Sequence, residues 1–89
     1  MAVRDKTLLK LINSDVNKTL GNHSVKIQDN GDRWYYYFKT PVVKHINPSG
    51  MWEFIIDISY GSITTRQTVN KYFKLFDISE ESPNVKVIR

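Results

Sequence analysis

The chain predicts an α+β two-layer domain: an N-terminal helix, a three- to four-stranded antiparallel sheet, a second helix, and a C-terminal segment that reads as a short strand or a tail. Three observations carry this reading. Apolar residues recur at helical spacing near both ends, strand-like alternation fills the middle, and Asn30-Gly31 separates two alternating runs. At 89 residues the chain is one domain, residues 1–89, able to bury a modest core.

The first helix is expected over residues 5–20. Leu8, Leu9, Leu11, Ile12, Val16 and Leu20 form its apolar stripe, behind Asp5 as N-cap and ahead of a Gly21-Asn22 stop. Strands follow at about 23–29 and 33–40. Reading Asn30-Gly31 as a two-residue type I′ turn sets Ile27 opposite Trp34 and Val25 opposite Tyr36. Five consecutive aromatics, Trp34 to Phe38, cannot all face one side of a strand. That register sends Trp34, Tyr36 and Phe38 into the core and Arg33, Tyr35, Tyr37 and Lys39 outward.

Pro41 cannot donate a ladder hydrogen bond, so a bulge or break is expected at Thr40-Pro41 before a short strand at 42–46. A turn at Asn47-Pro48-Ser49-Gly50 then pairs Lys44 with Glu53 and opens a strand over 51–60. Its core face is Trp52, Phe54, Ile56, Ile58 and Tyr60. The period changes after Gly61-Ser62. Val69, Tyr72, Phe73 and Phe76 mark a second helix at about 65–77 with Thr64 or Thr65 as N-cap, and Val85 to Ile88 (segment 84–88) closes the chain.

Composition excludes several chemistries. Without cysteine there is neither a disulfide framework nor a thiolate metal site. His23 and His45 fall on different strands with no nucleophile motif beside them, and a lone strand histidine is ordinarily a packed residue. Glu53 and Asp57 share a strand face but sit about 13 Å apart, too far for a retaining carboxylate pair. Phosphate-cradling glycine loops are absent, as is any apolar run of membrane-spanning length. These features point to a non-enzymatic cytoplasmic module with no cofactor, no metal and no membrane partner.

Thirteen Lys and Arg against nine Asp and Glu leave a net charge of +4, a mild bias toward anionic partners. Tyr35 and Tyr37 beside Arg33, Lys39 and Lys26 have the chemistry to stack unpaired bases and hold phosphates, which favours single-stranded nucleic acid or RNA over sequence-specific duplex DNA. The second helix adds Arg66, Asn70, Lys71 and Lys74, and its start could offer backbone N–H groups to a phosphate. The same aromatic and arginine anchors would also suit an inhibitor or adaptor docking on an acidic surface of a host protein, such as a defence, replication or transcription enzyme. An exposed strand edge or the tyrosine faces could pair two copies as a homodimer.

The order of helix, three strands and helix resembles that of the double-stranded-RNA-binding domain. That domain's lysine cluster at the start of the second helix is replaced here by Thr64 to Lys71, so none of its RNA contacts carries over. The chain also resembles small uncharacterised proteins of tailed bacteriophages in combining a Tyr-rich strand, Trp34 to Phe38, with Gly61, Thr64, Thr65, Arg66, Thr68 and Asn70. This second resemblance implies phage or mobile-element origin, hence the host cytoplasm, and brings no activity with it.

Overall fold

The computed structural model describes residues 5–46, 52–59 and 63–88. Its elements are α1 (Asp5–Ile12), β1 (Lys18–Leu20), β2 (His23–Ile27), β3 (Arg33–Tyr37), β4 (Thr40–His45), β5 (Phe54–Asp57), α2 (Ile63–Phe76) and β6 (Val85–Ile88). The α+β class matches the expectation. The sheet is larger than expected, with six strands in the order β1-β2-β3-β4-β5-β6 among the described residues. Its first five strands are antiparallel neighbours. β6 returns through α2 to lie parallel to β5, the crossover a helix permits. Both helices pack on one face of the sheet, α1 against β1, β2 and α2, and α2 against β4. The expected turn at 47–50, Tyr60 and Gly61-Ser62 lie outside the described residues.

α1 is much shorter than residues 5–20. Leu8 and Leu11 are fully buried and Ile12 packs against the core, but Val16 is 68% exposed. The turn-forming run Asn13-Ser14-Asp15 breaks the helix, and the Ser14 hydroxyl bonds the backbone carbonyl of Val16 at 2.6 Å. Lys18 to Leu20, expected as helix, pairs with β2 instead. Gly21-Asn22 is the hairpin turn between them, Gly21 at φ +63°, rather than a helix stop. Asp5 is the first residue of α1, and its side chain lies outside the described residues.

The register of the second hairpin differs by one residue from the expected one. Val25 pairs with Tyr35 and Lys26 with Trp34. A type I′ turn needs positive φ at both central residues, yet of Asn30 and Gly31 only the glycine, at +96°, has it. The bonds are Gly31 N–H to Gln28 C=O at 2.9 Å and Gln28 N–H to Asp32 C=O at 2.8 Å. They describe a type I turn closed by a left-handed glycine, a three-residue loop. The Asn30 carboxamide oxygen accepts the Asp32 N–H at 3.0 Å and holds that form. Because side chains alternate with period two, the slip moves every ring of β3 to the opposite face.

The next turn also departs from expectation. β3 stops at Tyr37, and Phe38, expected in the core, sits in the turn at φ +57° and 60% exposed. The bulge occurs one step past Thr40-Pro41. Tyr35 pairs with Val43 and Tyr36 with Pro41, leaving Val42 as the extra residue, and Val42 and Val43 are both buried. β4 and β5 pair Lys44 with Ile55 and His45 with Phe54, two residues away from the expected Lys44 and Glu53 pairing. An even shift preserves faces, so Phe54, Ile56 and Ile58 are buried as the alternation predicts, and Trp52 is partly buried. In α2, Val69 and Tyr72 are buried and Phe73 and Phe76 pack beside them, as expected. Thr64 and Thr65 lie inside this helix rather than capping it; Thr65 and Thr68 are buried.

Candidate functional site on the open sheet face

The register decides which aromatic residues are available to a partner. Tyr35 is fully buried under α2, its ring 5.1 Å from Tyr72 and 5.7 Å from Phe76. Burial pushes its phenol pKa up, against the lowering effect of Arg33. Arg33 is committed to the same side. Its Nε donates to Tyr35 Oη at 3.1 Å, and its Nη2 faces the carbonyls of Leu11 at 3.1 Å, Ile12 at 2.9 Å and Ser14. The guanidinium therefore caps the C-terminus of α1, where a cation also meets the negative end of the helix dipole. Tyr37 stacks on His23 at 5.2 Å and packs against the core cluster, and Lys39 is in the β3–β4 turn. The expected basic tyrosine face of Arg33, Tyr35 and Tyr37 is thus the helix-covered face.

The opposite face carries Trp34 and Tyr36, which the expected two-residue turn assigned to the core. The paired registers place Lys26, Trp34, Lys44, Ile55 and Lys86 in one row across β2, β3, β4, β5 and β6. At about 4.8 Å between strands this row spans about 19 Å, with a lysine every second strand, about 10 Å apart. Tyr36 stands two residues along β3 from Trp34, on the same face, beside Pro41. Lys44 Nζ lies 4.2 Å from the centroid of a Trp34 ring and Lys26 Nζ 4.9 Å from that of Tyr36. Each ammonium rests on an aromatic face, an arrangement held by the ring quadrupole. Trp34, Tyr36 and Lys44 are partly exposed, and Lys26 and Lys86 are exposed. Trp34 Nε1 is shielded from water with no hydrogen-bond acceptor.

Charge on this face is predominantly positive. Of the two carboxylates that alternation puts on this side of β5, Glu53 is held by Asn84 and His45, and Asp57 is turned to local work: its Oδ1 accepts the backbone N–H of Ser59 at 2.9 Å and its hydroxyl at 2.6 Å. Both helices cover the other face, so among the described residues no element lies over this row.

Of the residues expected to bind, the structure keeps Lys26 on this face and separates it from the rest. Arg66, Asn70 and Lys74 are exposed along α2, with Lys71 partly so, on the far side of the sheet. Arg66 and Asn70 line a shallow cleft with Phe73, Ile78, Ser79, Glu80 and Glu81, where two carboxylates offset the guanidinium. Sequence reasoning missed Lys44 and Lys86 as members of a site. Their signal exists, in strand alternation, but it becomes usable only once the cross-strand registers are known.

The two histidines have structural partners. His45 Nε2 lies 3.3 Å from Glu53 Oε2, and its ring stacks on Phe54 at 4.3 Å. Asn84 Nδ2 donates to the other oxygen of Glu53 at 2.9 Å, tying the entry to β6 onto β4 and β5. That bond first, then the one from His45, holds the Glu53 carboxyl below its ordinary pKa. His23 is depressed by burial, with Nδ1 unpartnered. Among the described residues no three His, Cys, Asp or Glu side chains come together as a metal site, and no helix is long and apolar enough to cross a membrane. Compared with family models, curated proteins and solved structures, the chain matches none.

Proposed function

We propose that the chain is a small non-enzymatic module, of phage or mobile-element origin, that binds nucleic acid through the open face of its sheet. The carrying observation is the row of Lys26, Trp34, Lys44, Ile55 and Lys86 with Tyr36 beside it. Lysines about 10 Å apart on one open sheet face suit a polyanion, because each neutralised phosphate releases condensed counterions and so contributes affinity at moderate salt. Partly exposed rings between them add stacking, at about 1–3 kcal/mol per base. The stacking of His23 on Tyr37, and of His45 on Phe54 with its bond to Glu53, supports the non-catalytic side of the reading. The origin rests on the residue pattern of Trp34 to Phe38 followed by the threonine-rich start of α2. Within that start, Thr68 Oγ1 donates to Thr64 C=O at 2.9 Å, a packing role.

Fluorescence anisotropy with a labelled oligonucleotide at 50 and 200 mM salt tests the reading. Binding is expected at low salt, weakening at high salt, and lost in the triple variant Lys26→Glu, Lys44→Glu, Lys86→Glu. Absence of binding to the wild type at low salt would sink it. The rival expectation, docking on an acidic host protein, uses the same cations. It would instead give salt-sensitive capture of a defined acidic protein with no oligonucleotide binding.

A further inference from the structure

On that reading of the open face, we infer that its ligand is an unpaired strand. Two successive bases stack on Trp34 and Tyr36, and Lys44 and Lys26 swing from those rings onto the flanking phosphates. The two rings stand on one strand at positions i and i+2, about 6.7 Å apart along β3. That spacing leaves room for a base on each ring when neighbouring bases are unstacked from one another, as they are along an extended single strand. A duplex offers nothing to the rings, since its base faces are occupied by their neighbours and only base edges reach the grooves. The lysines would still bind its phosphates, but Trp34 would be idle.

The present position of the lysines supplies the second part of the inference. With Lys44 Nζ 4.2 Å from a Trp34 ring centroid and Lys26 Nζ 4.9 Å from that of Tyr36, each stacking surface is already occupied by a cation. Lysine is a flexible stem carrying a point charge, so it can leave the ring without moving the backbone. Leaving exposes the ring to a base and delivers the ammonium to the adjoining phosphate. One motion therefore opens the stacking site and forms the ionic contact. Lys26 stands on β2 and Lys44 on β4, one on each side of the ring-bearing strand. Both flanks of a strand lying over β3 are thereby reached. Since rings address base faces that DNA and RNA share, the two are expected to bind within about threefold of each other.

The test uses the full chain and a ten-nucleotide single strand carrying 2-aminopurine, as DNA and as RNA, beside the same sequence as a duplex. The single strand is expected to bind at least tenfold more tightly than the duplex, with a change in 2-aminopurine fluorescence that reports stacking. Trp34→Ala should weaken single-strand binding by roughly tenfold, leave the salt slope unchanged and leave duplex binding unchanged. Lys44→Gln should lower the salt slope by about 0.7 while preserving the fluorescence change. Trp34→Phe, which keeps a ring, should retain most of the binding and guards against a folding defect in the alanine variant. Duplex binding as tight as single-strand binding, with Trp34→Ala neutral on both, would overturn the inference while leaving nucleic-acid binding standing. Binding to neither nucleic acid, with or without binding to anionic phospholipid vesicles, would overturn both.

Discussion

Arg33 ties the C-terminal end of α1 to the buried Tyr35 of β3. A helix of eight residues leaves half its carbonyls without intrahelical partners, and α1 has no left-handed glycine to absorb them. The Asn13 N–H takes the Leu9 carbonyl, and the planar guanidinium, 19 to 22 residues away in sequence, meets those of Leu11, Ile12 and, just past the helix, Ser14, while its Nε holds the hydroxyl of the buried Tyr35. Arg33→Ala removes a set of charge-assisted hydrogen bonds and should lower the unfolding free energy by about 2 kcal/mol. For a domain of this size that is a fall of about 10 °C in Tm. Arg33→Lys should recover less than half of it, because one ammonium cannot serve the helix end and the phenol together. Urea melts with unchanged m and an unmoved midpoint for the alanine variant would refute this role. Nothing local marks the arginine for capping: in the sequence it is one more cation beside a turn, and its partners are fixed only by the tertiary fold.

Elements were legible where their two sides differ chemically. Alternation in β5 sets Phe54, Ile56 and Ile58 against Glu53, Asp57 and Ser59, so its faces survive even a two-residue error in pairing. β3 has aromatic residues on both faces, so either assignment satisfies the pattern and the turn becomes the arbiter. Gly31 fits both a two-residue and a three-residue loop, and the choice between them reverses the strand. The candidate site was lost by that single residue, since it consists of the rings assigned to the core. α2 was legible in its extent, expected at about 65–77 and found at Ile63–Phe76, but not in how its ends are capped. Its C-terminus is a Schellman motif, with Ile78 N–H to Phe73 C=O at 2.9 Å, Asp77 N–H to Lys74 C=O at 3.3 Å, and Asp77 at φ +57°. An exposed aspartate there pays twice, through the left-handed backbone and through a negative charge at the negative end of the dipole. Asp77→Gly should therefore raise stability by about 1 kcal/mol, read as a higher urea midpoint at constant m. An unchanged or lower midpoint would mean that the aspartate makes a compensating contact.

At the scale of the whole molecule, titratable groups sit toward both edges of the sheet, and together they set how the fold responds to acid. His23 opens β2 next to the edge strand β1, and its burial depresses its pKa below 6.5. The folded state thus binds fewer protons than the unfolded chain, and the stability linked to this group is complete above pH 6.5 and declines as pH falls through the lower folded value. Glu53 acts at the β5–β6 side. Its carboxyl is held below 4.5 by Asn84 and then by His45, so its contribution is complete above pH 4.5 and is lost as pH falls further. Unfolding free energy should consequently fall in two windows, the first starting near pH 6.5 and the second near pH 4.5. His23→Phe keeps a ring against Tyr37 and should flatten the upper window alone. Glu53→Gln keeps an acceptor for Asn84 and should flatten the lower one alone. Urea denaturation from pH 8 to pH 3 on the three proteins decides the matter, and a variant whose profile parallels the wild type through its own window removes that group from the account. In the lower window, amide exchange in β6 should accelerate before that in β2 and β3, because the Asn84–Glu53 bond fastens the entry of that strand alone.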